Sequence, residues 1–132
     1  MSSSTGPYKS IVRKLQADGF ESPYLDRLAQ RVDAEEEETR LELEVRREVA
    51  SALGRTGAKV DLAFLKLEVA GRELAALPPG PEREAAVARF NALRREADAA
   101  RLDLRIHREA VGFRRNDHLA RMYPLPPPAS EK

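Results

Sequence analysis

Apolar residues fall at helical spacing along most of the chain. Tyr8, Ile11, Val12 and Leu15 sit at i, i+3, i+4 and i+7 and form one face of a short helix predicted over 7–18. Asp18-Gly19-Phe20 ends it, with Gly19 taking the left-handed C′ position and Phe20 at C″ closing over Leu15. Ser22 then Pro23 restarts the chain as an N-cap and a first-turn proline. Leu25, Ala29, Val32, Glu36 and Thr39 share a heptad register with Leu43, Arg46, Ala50, Leu53, Gly57, Val60, Phe64, Leu67, Gly71 and Leu74. The register does not slip across Gly54-Arg55-Thr56-Gly57, so the pattern predicts one helix over 23–77. The two interior glycines each cost about 1 kcal/mol relative to alanine, which a long packed helix absorbs. An up-down-up three-helix bundle broken at Gly54–Gly57 is the alternative.

Leu77-Pro78-Pro79-Gly80-Pro81 cannot continue a helix, because proline lacks an N–H and clashes with the turn before it. Pro81 opens a second long helix, predicted over 81–114, in which Ala86, Phe90, Leu93, Ala97, Ala100, Leu104, His107 and Val111 again step by four and three. So tight a connection between two heptad-bearing helices makes them an antiparallel hairpin. The predicted fold is therefore all-α, a coiled-coil-like hairpin with a short N-terminal helix, in a single domain over 7–122. Folding about Pro79 puts Phe90 near Leu67 and sets Gly57 against Ala99 or Ala100. It leaves residues 23–43 projecting by about 30 Å at about 1.5 Å per residue. A last short turn, opened by Asn116, is expected over 117–122. Residues 1–6 are expected to be disordered, and 123–132 to form an extended, proline-rich tail.

A two-helix seam needs one apolar stripe on each helix, and this hairpin has more. Leu41, Val45, Val49 and Ala52 lie off the seam on the first long helix, and Ala99, Leu102, Ile106 and Phe113 lie off it on the second. The N-terminal helix, the Tyr123-Pro124-Leu125-Pro126-Pro127 tail or a second copy are the available covers. A homodimer through Leu41, Val45, Leu102, Ile106 and Phe113 is the expectation.

Composition narrows the chemistry. Charged residues make up 34% of the 132, the formal net charge is +1, and both cysteine and tryptophan are absent. A near-neutral chain carries no global field toward nucleic acid or anionic lipid. Without cysteine there are no disulfides, thiolate nucleophiles or thiolate metal sites. The start of the chain lacks the charged and apolar segments of a secretory signal, no apolar run is long enough to span a bilayer, and a cytoplasmic location is expected.

The only imidazoles are His107 and His118. Asp103 lies on the same helical face as His107, yet a di-iron carboxylate site needs Glu-x-x-His pairs, and Leu104 stands where that glutamate belongs. No metal, cofactor or catalytic residue is expected. Glu35, Glu36, Glu37 and Glu38 form an acidic stretch suited to docking a basic protein partner. Arg101, Arg105, Arg108, Arg114, Arg115 and Arg121 make the end of the second helix basic. Interleaved Asp103, Glu109 and Asp117 and the scarcity of stacking aromatics argue against nucleic acid there. The expected function is that of a non-catalytic interaction module, a scaffold or adaptor. The alternative is a helical-hairpin factor serving a nucleic-acid machine such as RNA polymerase or the ribosome.

Overall fold

Helices begin and end where caps and breakers demand. In the computed structural model, which describes residues 6–37 and 40–130 and the side chains of 8–34 and 53–130, the elements are α1 (Gly6–Ala17), α2 (Pro23–Glu37), α3 (Arg40–Ala75), α4 (Pro81–Ala110) and α5 (His118–Met122). No strand occurs among the described residues. At the end of α1, Gly19 sits at φ 77°, its N–H donates to the Gln16 carbonyl, and the Phe20 N–H donates to the Leu15 carbonyl at 3.0 Å. This is the six-to-one, five-to-two bond pattern of a Schellman cap. Ser22 Oγ then accepts from the Tyr24 N–H at 3.1 Å and the Leu25 N–H at 3.4 Å, satisfying donors that the first turn of α2 leaves open.

The chain divides into two compact units, Met1–Leu62 and Ala63–Lys132, with α3 contributing to both. In the first unit, Val12 of α1 and Leu25, Leu28 and Val32 of α2 are almost wholly buried. Arg13 joins α1 to α2 through Asp33 at 2.9 Å. Arg27 of α2 meets Asp61 of α3 at 3.0 Å, and Arg31 Nη1 donates to the Gly54 carbonyl at 3.4 Å.

These contacts correct the single helix expected over 23–77. Arg27 and Asp61 are 34 residues apart, which on one straight helix is about 50 Å. The two residues therefore do not share one straight helix, and α2 lies against α3 instead of projecting as an arm. The apolar face of α2 would otherwise stand in water, and folding back onto α3 buries it. At Gly54–Gly57, where the alternative bundle would break, α3 is helical throughout. Gly57 does make room for a neighbour, but that neighbour is α2: a Cβ there would sit 3.1 Å from Arg31 Nη2.

In the second unit, α3 and α4 pack as the antiparallel hairpin. Phe64, Leu65, Leu67, Ala70 and Leu74 of α3 are buried, as are Val87, Phe90, Leu93, Ala97 and Leu104 of α4. Phe90 lies against Gly71, where an added Cβ would come within 3.3 Å of its ring. At the tip, Arg83 Nη1 donates to the Leu74 carbonyl at 2.9 Å and the Leu77 carbonyl at 3.1 Å, capping the end of α3 from the first turn of α4. Val111, expected on the seam, is 61% exposed, because α4 ends at Ala110.

Candidate interaction surface

The end of α4 is built by a second glycine cap. Gly112 sits at φ 101°, its N–H donates to the Glu109 carbonyl, and the Phe113 N–H donates to the Arg108 carbonyl at 2.9 Å. Glycine takes this backbone without strain, and the bonds satisfy carbonyls that the last turn leaves open. The cap turns Phe113 back over the helix. There the Arg108 guanidinium lies 4.7 Å from the ring centroid, at cation–π distance. Arg108 Nε donates to Asn116 Oδ1 at 2.7 Å, and Asn116 Nδ2 donates to the Phe113 carbonyl at 3.0 Å. Asn116, expected to cap the following turn, instead ties Arg108 to Phe113. The aromatic ring is held in place and yet 48% exposed.

Leu102 and Ile106 stand on the same helix at 56% and 53% exposure. A step of four residues keeps Leu102 and Ile106 on one side of α4, and Phe113 lies beyond the end of the helix. Ion pairs lie on the same stretch of α4: Asp98 with Arg101 at 3.1 Å and Arg105 with Glu109 at 3.2 Å. Exposed pairs of this kind are worth about 0.2–1 kcal/mol each and leave the surroundings nearly neutral. Of the residues expected to self-associate, Leu102, Ile106 and Phe113 are each about half exposed. The side chains of Leu41 and Val45, and the acidic stretch Glu35, Glu36, Glu37 and Glu38, lie outside the described residues.

Neither histidine is drawn into a cluster. His107 Nδ1–H donates to the Asp103 carbonyl at 2.9 Å and lies 3.6 Å from the Asp103 carboxylate, with its side chain 44% exposed rather than on a closed seam. Among the described residues, no three His, Cys, Asp or Glu side chains converge as metal ligands, and no helix is long and apolar enough to cross a membrane.

The polar contacts of two constellations were not anticipated from sequence, although the sequence does offer the tail as a cover for its own helices. Asp61 has no exposed surface and meets Arg27, whose guanidinium also lies 5.4 Å from the Tyr24 ring centroid. A lone carboxylate inside Val60-Asp61-Leu62-Ala63-Phe64-Leu65 is the signal for it, since a buried charge must find a cation. The other is the tail. Tyr123 is 3% exposed and its ring lies 5.3 Å from that of Phe64. Arg101 donates to the Tyr123 carbonyl at 2.9 Å, and Arg94 Nε donates to the Pro126 carbonyl at 2.6 Å. Asn91 donates to the Ala129 carbonyl at 3.1 Å and accepts from the Ala129 N–H at 2.8 Å.

The chain matches no protein-family model, and neither the curated proteins nor the solved structures contain a significant match to it.

Proposed function

We propose that this chain is a non-catalytic helical scaffold that acts through protein–protein contacts and associates with a second copy through Leu102, Ile106 and Phe113, joined by Leu41 and Val45. The observation that carries this reading is that Leu102 and Ile106 on α4, and Phe113 clamped just past its end, are large apolar side chains left about half exposed. Full burial of a large apolar side chain is worth about 1.5–3 kcal/mol. These three start half-covered, so two copies of the face gain roughly 5–9 kcal/mol on meeting. The entropic cost of association is about 4–15 kcal/mol, so the three alone reach only the lower part of that range. Leu41 and Val45 supply the remainder in this reading.

The arginines at the end of α4 lend little support to a nucleic-acid role. Arg101 and Arg108 spend donors on the tail carbonyl and on Asn116, and Arg105 faces Glu109. Sedimentation across a concentration series tests the proposal. The wild type is expected to dimerise by mid-micromolar concentration, and Ile106→Glu, at an exposed position, is expected to remain folded and shift to monomer. A wild-type chain that stays monomeric at high micromolar concentration overturns self-association.

A further inference from the structure

The tail's contacts repeat every third residue. Proline at 124, 126, 127 and 128 fixes φ near −65° at those positions, and each residue before a proline is kept out of the helical region. That is the polyproline II backbone, with three residues per turn and about 3.1 Å of rise. Residues 126 and 129 therefore lie along one edge of it, Tyr123 at φ −126° and ψ 67° leads into it, and these three present the carbonyls that α4 receives.

On the helix side, Arg101, Arg94 and Asn91 are separated by seven and three residues, which places them on one face. The tail runs antiparallel to α4. Its six residues span about 19 Å, and the ten helical residues opposite span about 15 Å, a difference that long arginine side chains absorb. Prolines offer no N–H, so a ladder of side-chain donors is what a polyproline backbone needs from its host. Where the prolines end, Ala129 supplies an N–H, and Asn91 pairs with both its polar groups. Below Tyr123, the Phe64 ring gives the first turn an aromatic floor.

We infer that this face of α4 is a polyproline II-binding site, filled in cis by the chain's own tail, whose ligand in trans is an extended proline-rich peptide from a partner protein. The polar contacts from Arg101, Arg94 and Asn91 go to backbone atoms, so these three side chains read backbone shape and carbonyl spacing. An aromatic at the start of the ligand is the one side chain that it selects. The site uses none of Leu102, Ile106 and Phe113, and it does not rest on self-association.

The test uses the full chain carrying Ile106→Glu, so that association through the apolar face does not enter. In this background Pro124→Ser, Pro126→Gly, Pro127→Ser and Pro128→Gly loosen the tail, at positions that are exposed or half-buried. A fluorescein-labelled peptide with the sequence of residues 123–130 is titrated by anisotropy. Because the cis tail blocks the site for most of the time, the loosened chain is expected to bind the peptide about tenfold more tightly than the chain with its native tail. Adding Arg94→Ala or Asn91→Ala weakens binding by roughly two- to tenfold for each hydrogen bond lost. A peptide with glycine and serine in place of the prolines binds far more weakly. The inference is overturned if the folded, loosened chain shows no saturable binding at millimolar peptide, or if the proline-free peptide binds equally well. It is also overturned if wild-type chains labelled at the tail show energy transfer between copies that the loosened variant loses, which assigns the face to a second copy's tail.

Discussion

In the first unit Arg27 reaches a carboxylate that has no exposed surface; in the second, Arg94 and Arg101 lie along α4 and reach peptide carbonyls of the tail. The same side chain meets a full charge in one place and a neutral dipole in the other. The stakes differ accordingly. A buried carboxylate that loses its cation has no water to turn to, whereas a carbonyl near the surface exchanges one donor for another. The first arrangement ties α2 to α3 and resists any change of register between them. The second holds a segment that can leave without unfolding its host.

Removing each arginine separates these roles. Arg27→Ala is expected to lower the unfolding free energy by about 3–5 kcal/mol in denaturant titrations, since it takes a cation away from the fully buried Asp61 carboxylate. Replacing both partners, Arg27→Met with Asp61→Leu, is expected to recover most of that loss; failure of the double variant to recover would show that packing around Arg27, and not its charge, matters. Arg101→Ala is expected to cost about 1 kcal/mol, and the loss is local. Amide exchange at Ala129 should quicken several-fold while the buried amides of α3 and α4 keep their protection, and a uniform loss across α4 would contradict the contrast. Arg105→Ala sets the lower bound. Its exposed pair with Glu109 is worth about 0.3–0.5 kcal/mol, and the change in thermal midpoint is expected to shrink further in added salt.

Much of the local architecture was legible because it is written in short-range chemistry. Gly19 with Phe20, Ser22 with Pro23, and the Pro78–Pro81 stop each act within a few residues, and all appear where the sequence put them. So does the helical run across Gly54 and Gly57, read from heptad phase. The reversal between α2 and α3 was not legible, for a physical reason. Residues 33–45 contain neither glycine nor proline and are rich in glutamate, so local propensity favours a helix throughout. The reversal answers to longer-range needs: Leu25, Leu28 and Val32 require an apolar partner, and Asp61 requires a cation. The unmatched apolar face on α2 and the lone acid on α3 were both visible as separate facts, but nothing local joins them. Of the candidate surface, the position of Leu102 and Ile106 off the seam was legible from periodicity. The clamp on Phe113 was not, because it depends on a glycine cap that a fading heptad pattern conceals.

The three-residue repeat of the tail makes it a counting device. Each residue of a polyproline backbone turns by about 120°, so inserting or deleting one residue between Tyr123 and Ala129 swings the later carbonyls away from Arg94 and Asn91. Inserting three restores their facing and merely slides the end of the tail along α4. Length changes in this segment are thus tolerated in steps of three, a reading frame expressed in the folded chain and not in the gene.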